Sequence, residues 1–235
     1  MKFEAIPGGP VAYWVGKGCL ASFGNKPLSL YAALKMGLST GDNSRFYRLW
    51  WEIDHSEIVM NCTEIEAAGE KWYPCNRGGD YRKWYGGIPS VIDWSNHGSA
   101  IIHNFKNGKQ ASRPQNLNWS FKPCYTWNLI TSGKMSMRFL PPGFMFDQAG
   151  CMAFPSDKGT GPALMALVNS SVSDFILDLL NPTLNCPPGV MAEIPIANFT
   201  GDYLIGEKAD GAVSLSKIDW DSREISWDFG RNPLI

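Results

Sequence analysis

In residues 162–181 the apolar positions fall at Leu164, Leu167, Val168, Val172, Phe175, Ile176, Leu179 and Leu180. That spacing of three and four puts them on one buried helical face. It predicts a single packing helix, with Pro162 suited to its first turn and Asn181-Pro182 as its stop. A weaker helix is expected over residues 13–23, where Gly16 and Gly18 lower the propensity. Elsewhere the apolar runs are short and bounded by Gly, Pro or Asn. Residues 48–53, 90–94, 100–105, 134–140 and 143–147 read as strands. Along 134–140 the residues alternate, Met135, Met137 and Phe139 to one face and Lys134, Ser136 and Arg138 to the other. That strand is expected to offer Lys134 and Arg138 to solvent or to a phosphate backbone. "FLPPGF" reads as a turn that folds the chain back into 143–147 as a hairpin. The pattern as a whole predicts an α+β domain, a twisted mixed or antiparallel sheet with a few packing helices and long polar loops. No internal repeat or low-complexity linker interrupts it.

Composition narrows the class. The chain has 235 residues, 44% hydrophobic and 18% charged, which describes a folded protein with a real core. No apolar run approaches the roughly twenty residues that span a bilayer, and the N-terminus lacks the apolar core of a secretory signal. A cytoplasmic location without membrane contact is expected. The six cysteines, at 19, 62, 75, 124, 151 and 186, are too scattered for a zinc site. His55, His97 and His103 supply no local ligand pairs either. No metal is expected, and the cysteines read as free thiols of a reducing compartment.

The net charge of −1 hides an asymmetry. Between residues 71 and 138 stand ten basic residues against Asp80 and Asp93 alone, a net of +8, which leaves −9 for the rest. Its densest part is "KWYPCNRGGDYRKWY" (71–85), and the whole block carries eleven aromatic rings. Cations that neutralise phosphates, interleaved with rings that stack on bases, fit nucleic-acid binding. A sheet core dressed with solvated lysines and arginines has the same composition.

Two polar loops carry recognition chemistry. In "GLSTGDNSRFYRLWW" (37–51), Thr40, Asn43 and Arg45 are placed to reach a base edge or a phosphate, while Asp42 reads as a local turn residue. In "SRPQNLNWSFK" (112–122), arginine can read guanine and amides can read adenine, so Arg113, Gln115, Asn116 and Asn118 form a reading set with Lys122 beside them. Within 71–85, Arg77, Arg82, Lys83 and Tyr85 are expected on a DNA-facing wall, with Gly78 and Gly79 allowing close backbone approach and Trp72 and Trp84 as core pillars.

Taken in order, "GLSTGDNSRFYRLWWE", "KWYPCNRGGDYRKWYG", "RPQN", "LLNPTLN" and "DWDSREISWDF" resemble the C-terminal part of the PglX family. These are adenine-specific DNA methyltransferases of BREX-type bacteriophage-exclusion systems. The resemblance runs over nearly the whole chain and extends, more loosely, to the target-recognition regions of TaqI-like and fused restriction–modification enzymes. It implies a single target-recognition domain over 1–235, with 1–36 as a lead-in from a catalytic domain, and the start at Met1 is expected to mark an excised domain or a split gene. It also implies double-stranded DNA, the catalytic domain and other phage-defence subunits as partners, with S-adenosylmethionine held by the catalytic domain.

The chemistry of methyl transfer is not expected in this chain. N6-adenine transfer needs an aromatic-flanked Asn/Asp-Pro-Pro loop and a Gly-rich strand-to-helix turn. "NCPPGV" (185–190) has the prolines without the aromatic, and here the chain departs from the family pattern. "GKG" (16–18) and "GGIP" (86–89) lack the strand-to-helix context. Three other classes stay open. A protein-interaction module would use the acidic remainder and the tryptophans. A carbohydrate-binding module has no use for a +8 block. A nuclease would need clustered acids, for which "DWDSRE" (219–224) is the nearest approach.

Overall fold

Strand pairing follows from which backbone donors the sequence leaves available. The computed structural model describes residues 6–10, 12–196, 203–232 and 234. Its strands are β1 (Ala32–Lys35), β2 (Tyr47–Leu49), β3 (Trp72–Asn76), β4 (Trp84–Tyr85), β5 (Ser90–Asp93), β6 (Phe105–Lys106), β7 (Lys109–Gln110), β8 (Cys124–Asn128), β9 (Met137–Leu140), β10 (Met145–Phe146) and β11 (Gly150–Pro155). The helices are α1 (Lys17–Ser22), α2 (Asn43–Phe46), α3 (Ser95–Ile102), α4 (Thr160–Val168), α5 (Ser171–Leu180), α6 (Pro188–Ala192) and α7 (Tyr203–Asp221). The fold is α+β, but two open sheets replace the single one expected. One runs β1-β11-β8-β9-β4, the other β10-β3-β5-β2, and β6-β7 stands apart as a hairpin.

The expected hairpin between residues 134–140 and 143–147 does not form. Pro141 and Pro142 carry no N–H, so the returning chain cannot zip onto β9. It crosses instead to the second sheet, where β10 pairs parallel with β3 and β9 keeps β8 and β4 as neighbours. Residues 100–104 are not a strand, and of the expected run only Phe105 enters one, the short β6. Asn96, His97 and Gly98 take left-handed φ of 50°, 56° and 70°, the chain winds through α3, and the apolar run serves to bury Ile101. The strand expected over 48–53 stops at Leu49, where Trp50–Glu52 makes one 3-10 turn. Within residues 1–36, Leu28 is fully buried and β1 pairs antiparallel with β11.

The long helix breaks at "VNSS". The axes of α4 and α5 diverge by 72°, because short polar side chains compete for the backbone there. Ser170 Oγ accepts from Ser173 N and donates to Leu167 O. Asn169 behaves like a piece of strand: its amide accepts from Met137 N and donates to Met137 O, both at 2.8 Å. Replacing Ser170 by alanine should therefore cost about 1 kcal/mol, as loss of an N-cap does, read as a lower urea midpoint at unchanged slope.

The main core lies between the five-stranded sheet and α4, α5 and α6, around Trp127, Met137, Leu164, Met165, Val168 and Ile176. A second core under the other sheet gathers Tyr73, Ile92, Trp94, Phe121 and Met145. Asn76, fully buried, ties the sheets together: Nδ2 donates to Thr126 Oγ1 on β8 at 2.6 Å, and Oδ1 accepts from Gly78 N. The six cysteines form no disulfide, and burial pushes the thiols of Cys151 and Cys186 up to about 12. Among the described residues no single helix is long and apolar enough to cross a membrane.

Candidate nucleic-acid interface

The two polar loops, some seventy positions apart in the sequence, are sewn together. Ser39 and Arg113 exchange both backbone hydrogen bonds, at 3.0 and 2.7 Å. Gly41, at φ +72°, lies so close to Ala111 that a Cβ would come within 2.6 Å of its carbonyl group. Asn104 Nδ2 donates to Thr40 O, Gln115 Nε2 to Gly37 O and Asn116 Nδ2 to Met36 O, all at 2.7–2.9 Å. Inside the first loop Asp42 caps α2, accepting from Arg45 N and Ser44 Oγ. Those bonds hold its carboxyl below the usual carboxylate range.

This stitching sorts the expected reading residues. Thr40 is not exposed: it is fully buried, its hydroxyl donating to Asn43 Oδ1, because the Asn104 contact pulls its backbone inward. Gln115 and Asn116 are half-buried and spend amide donors on the neighbouring loop, so they shape the ridge. Asn43, Arg45, Arg113 and Lys122 stay exposed on it. Arg45 lies 4.8 Å over the Phe46 ring, and Lys122 and Lys35 each lie 5.1 Å from the centre of the Trp119 ring. Among the described residues neither Arg45 nor Arg113 forms an ion pair. Lys35, Lys106 and Lys109 join this face without having been singled out. Lys106 and Lys109 belong to the basic block of residues 71–138, whereas Lys35 lies outside it.

The densest basic stretch goes elsewhere. Arg77 borders the ridge but turns inward, stacked 4.0 Å over buried Tyr47 and 3.4 Å from Asp147, whose carboxyl burial pushes up. Arg82 Nη2 pairs with Asp219 on α7 at 2.6 Å, its Nε donates to Tyr85 O, and Trp220 lies 4.9 Å away. Lys83 Nζ donates to Asn169 O at 2.6 Å, and Tyr85 sits 5.0 Å under Lys217 of α7. Arg82 and Tyr85 hold the last helix and Lys83 the α4–α5 junction, instead of lining an open wall. Trp72 is buried as expected and Trp84 half-buried.

Arg138 is the sharpest correction. It was expected on the solvent face of its strand, and it is 1% exposed. The polar face of β9 is roofed by glycine loops: a Cβ on Gly87 would meet Arg138 Nη1 at 2.8 Å. The guanidinium donates to Gly86 O, Asp80 O and Asn128 Oδ1. Burial lowers its pKa to about 10, so it remains a cation at neutral pH. Lys134 is exposed but lies beside α5, lining a cavity of about 540 Å³ with Asp174 and Asp178. In "DWDSRE", Asp219 is taken by Arg82 and Arg223 and Asp221 by Lys217.

Neither glycine stretch suits a methyl donor. Among the described residues no strand precedes α1, into which Gly16 leads, and Gly86-Gly87 joins β4 to β5 with no helix between them. The prolines of "NCPPGV" simply open α6, with Pro188 in its first turn.

No protein-family model matches the chain. Two characterised proteins do. The adenine-specific methyltransferase PglX of Lacticaseibacillus casei (strain Zhang) is 37% identical over 100% of this chain and 20% of its own length. The adenine-specific methyltransferase BrxX of Escherichia coli O9:H4 (strain HS) is 31% identical over 99% of this chain and 18% of its own length. The chain is similar, end to end, to one part of these methyltransferases. It spans about a fifth of PglX and slightly less of BrxX. The similarity agrees with the motif order seen in the sequence. In PglX and BrxX about four fifths of the chain lies outside the part matched here.

Proposed function

We propose that this chain is the DNA target-recognition region of an adenine-specific methyltransferase of a phage-exclusion system, a single domain that selects the site to be methylated. Methyl transfer from S-adenosylmethionine belongs, on this reading, to a separate catalytic domain, which is the chain's partner along with duplex DNA. The observation that carries the reading is the two-way Ser39–Arg113 bridge. It brings two polar loops into one ridge whose exposed cations, among the described residues, lack carboxylate partners apart from a 3.8 Å approach of Lys106 to Asp42. A fixed backbone frame with outward cations sets register on phosphates and leaves a few side chains to read bases. Full-length similarity to adenine-specific methyltransferases supports DNA over other polyanions.

Fluorescence anisotropy with a labelled random duplex, titrated across salt, tests this. With Arg45, Arg113 and Lys122 on phosphates, the slope of log affinity against log salt should be about −2.7 or steeper, each contact contributing roughly −0.9. Affinity should then fall at least roughly forty-fold between about 50 and 200 mM salt. Affinity flat in salt, or no binding at the low-salt end, rejects DNA as the ligand and leaves a protein partner as the alternative.

A further inference from the structure

The 105–110 hairpin is the least explained element of the fold. It pairs with no other strand, and all of its residues are exposed. Asn107 and Gly108 both take positive φ, 51° and 73°, as a tight two-residue turn between twisted strands requires. Nothing lies within 4 Å of where a Gly108 side chain would begin, so the tip stands clear of the protein. A two-stranded hairpin is marginal alone, and this one is anchored at its base and through the Lys106 side chain. Ala111 N donates to Asn104 O and Gln110 Nε2 to Ile102 O, while Asn104 is fastened to the first polar loop.

Its charges are arranged against its own stability. Lys106 and Lys109 are direct cross-strand partners, and so share a face, where like charges repel. Lys106 Nζ has Gly41 O at 3.1 Å and Asp42 at 3.8 Å, whereas Lys109 forms no ion pair among the described residues. On the other face Phe105, opposite Gln110, is 57% exposed. Two lysines on one side and a bare ring on the other suit a partner that is both polyanionic and apolar at its edges.

We infer that this hairpin is an arm that enters the major groove of the duplex bound by the neighbouring ridge. The groove, about 12 Å wide, admits a two-stranded ribbon. Lys106 and Lys109 neutralise phosphates of one strand, and Phe105 packs on base edges, where thymine methyls offer apolar surface. The inference rests on the DNA reading above and adds a second contact element to it.

The test is duplex anisotropy across salt for the parent, K106Q/K109Q, F105A and R45E/R113E. The lysine variant should bind roughly tenfold more weakly at low salt, with a slope shallower by about 2. F105A should lose affinity several-fold with its slope unchanged. All these side chains are exposed, so the melting curves of the hairpin variants should overlay the parent's. If K106Q/K109Q binds like the parent while R45E/R113E is weakened, the arm is wrong and the DNA reading stands. If F105A alone is unchanged, the hairpin touches only backbone and groove entry is overturned. If the parent does not bind duplex, both inferences fall together.

Discussion

Arg45→Glu with Arg113→Glu is expected to weaken binding to every duplex by roughly 100-fold at low salt and to flatten the salt slope by about 2. Both side chains point outward from a frame they do not help to hold. Arg113 anchors the ridge through its main chain, which the substitution leaves intact, and Arg45 is exposed on the turn capped by Asp42. The loss should be uniform across sequences wherever these arginines meet phosphate, and larger for the preferred site wherever Arg113 reads a base. Arg82→Glu is the contrast. It places a second carboxylate beside Asp219, so it should lower the urea midpoint and leave duplex affinity near the parent's. The opposite outcome, with Arg82→Glu abolishing binding and the ridge variant binding normally, would return the DNA-facing wall to residues 71–85.

The largest expected loss of stability comes from one methyl group. Gly86→Ala should cost about 2–4 kcal/mol: roughly 1–2 for a side chain in a left-handed conformation, and the remainder for overpacking. Gly86 has φ +93°, and its Cβ would lie 2.5 Å from the Trp220 ring, 7% exposed at the end of α7. The ring cannot yield easily, since Arg82 lies 4.9 Å from it and the same arginine holds Asp219. Gly189→Ala, with open space around its Cβ, serves as the control and should change little. Equal urea midpoints for the two variants would show that α7 is not packed on the 86–87 turn as described.

Local features were readable from sequence; contacts across the fold were not. The 90–94 strand, buried Trp72 and the local turn role of Asp42 follow from short-range pattern, and the structure repeats them, with Asp42 as the cap of α2. Arg138 shows the limit. Alternation correctly put it opposite Met137, but alternation says nothing about what lies over the second face, and glycine loops cover it. The helix break at Asn169-Ser170 was hidden because apolar spacing on either side stays helical. The Ser170 cap and the bonds of Asn169 to the Met137 backbone decide it together. Likewise the density of charge and rings in residues 71–85 was real, but its counterpart is the acidic, Trp-bearing end of α7, more than 130 positions away. The ridge was legible as two separate loops. That one two-way bridge joins them is a property of the closed chain.

That closure has a consequence for the order of events during synthesis. β1 ends at Lys35 and its partner β11 begins at Gly150. At ribosomal rates of ~5–20 residues per second, the first edge strand waits on the order of ten seconds for anything to pair with. The loop at 37–45 leaves the ribosome just behind it and waits for Arg113. The surface proposed to meet DNA therefore cannot take its shape until about half the chain has been made, and a nascent chain carries the cations of 37–45 well before it has a ridge to display them.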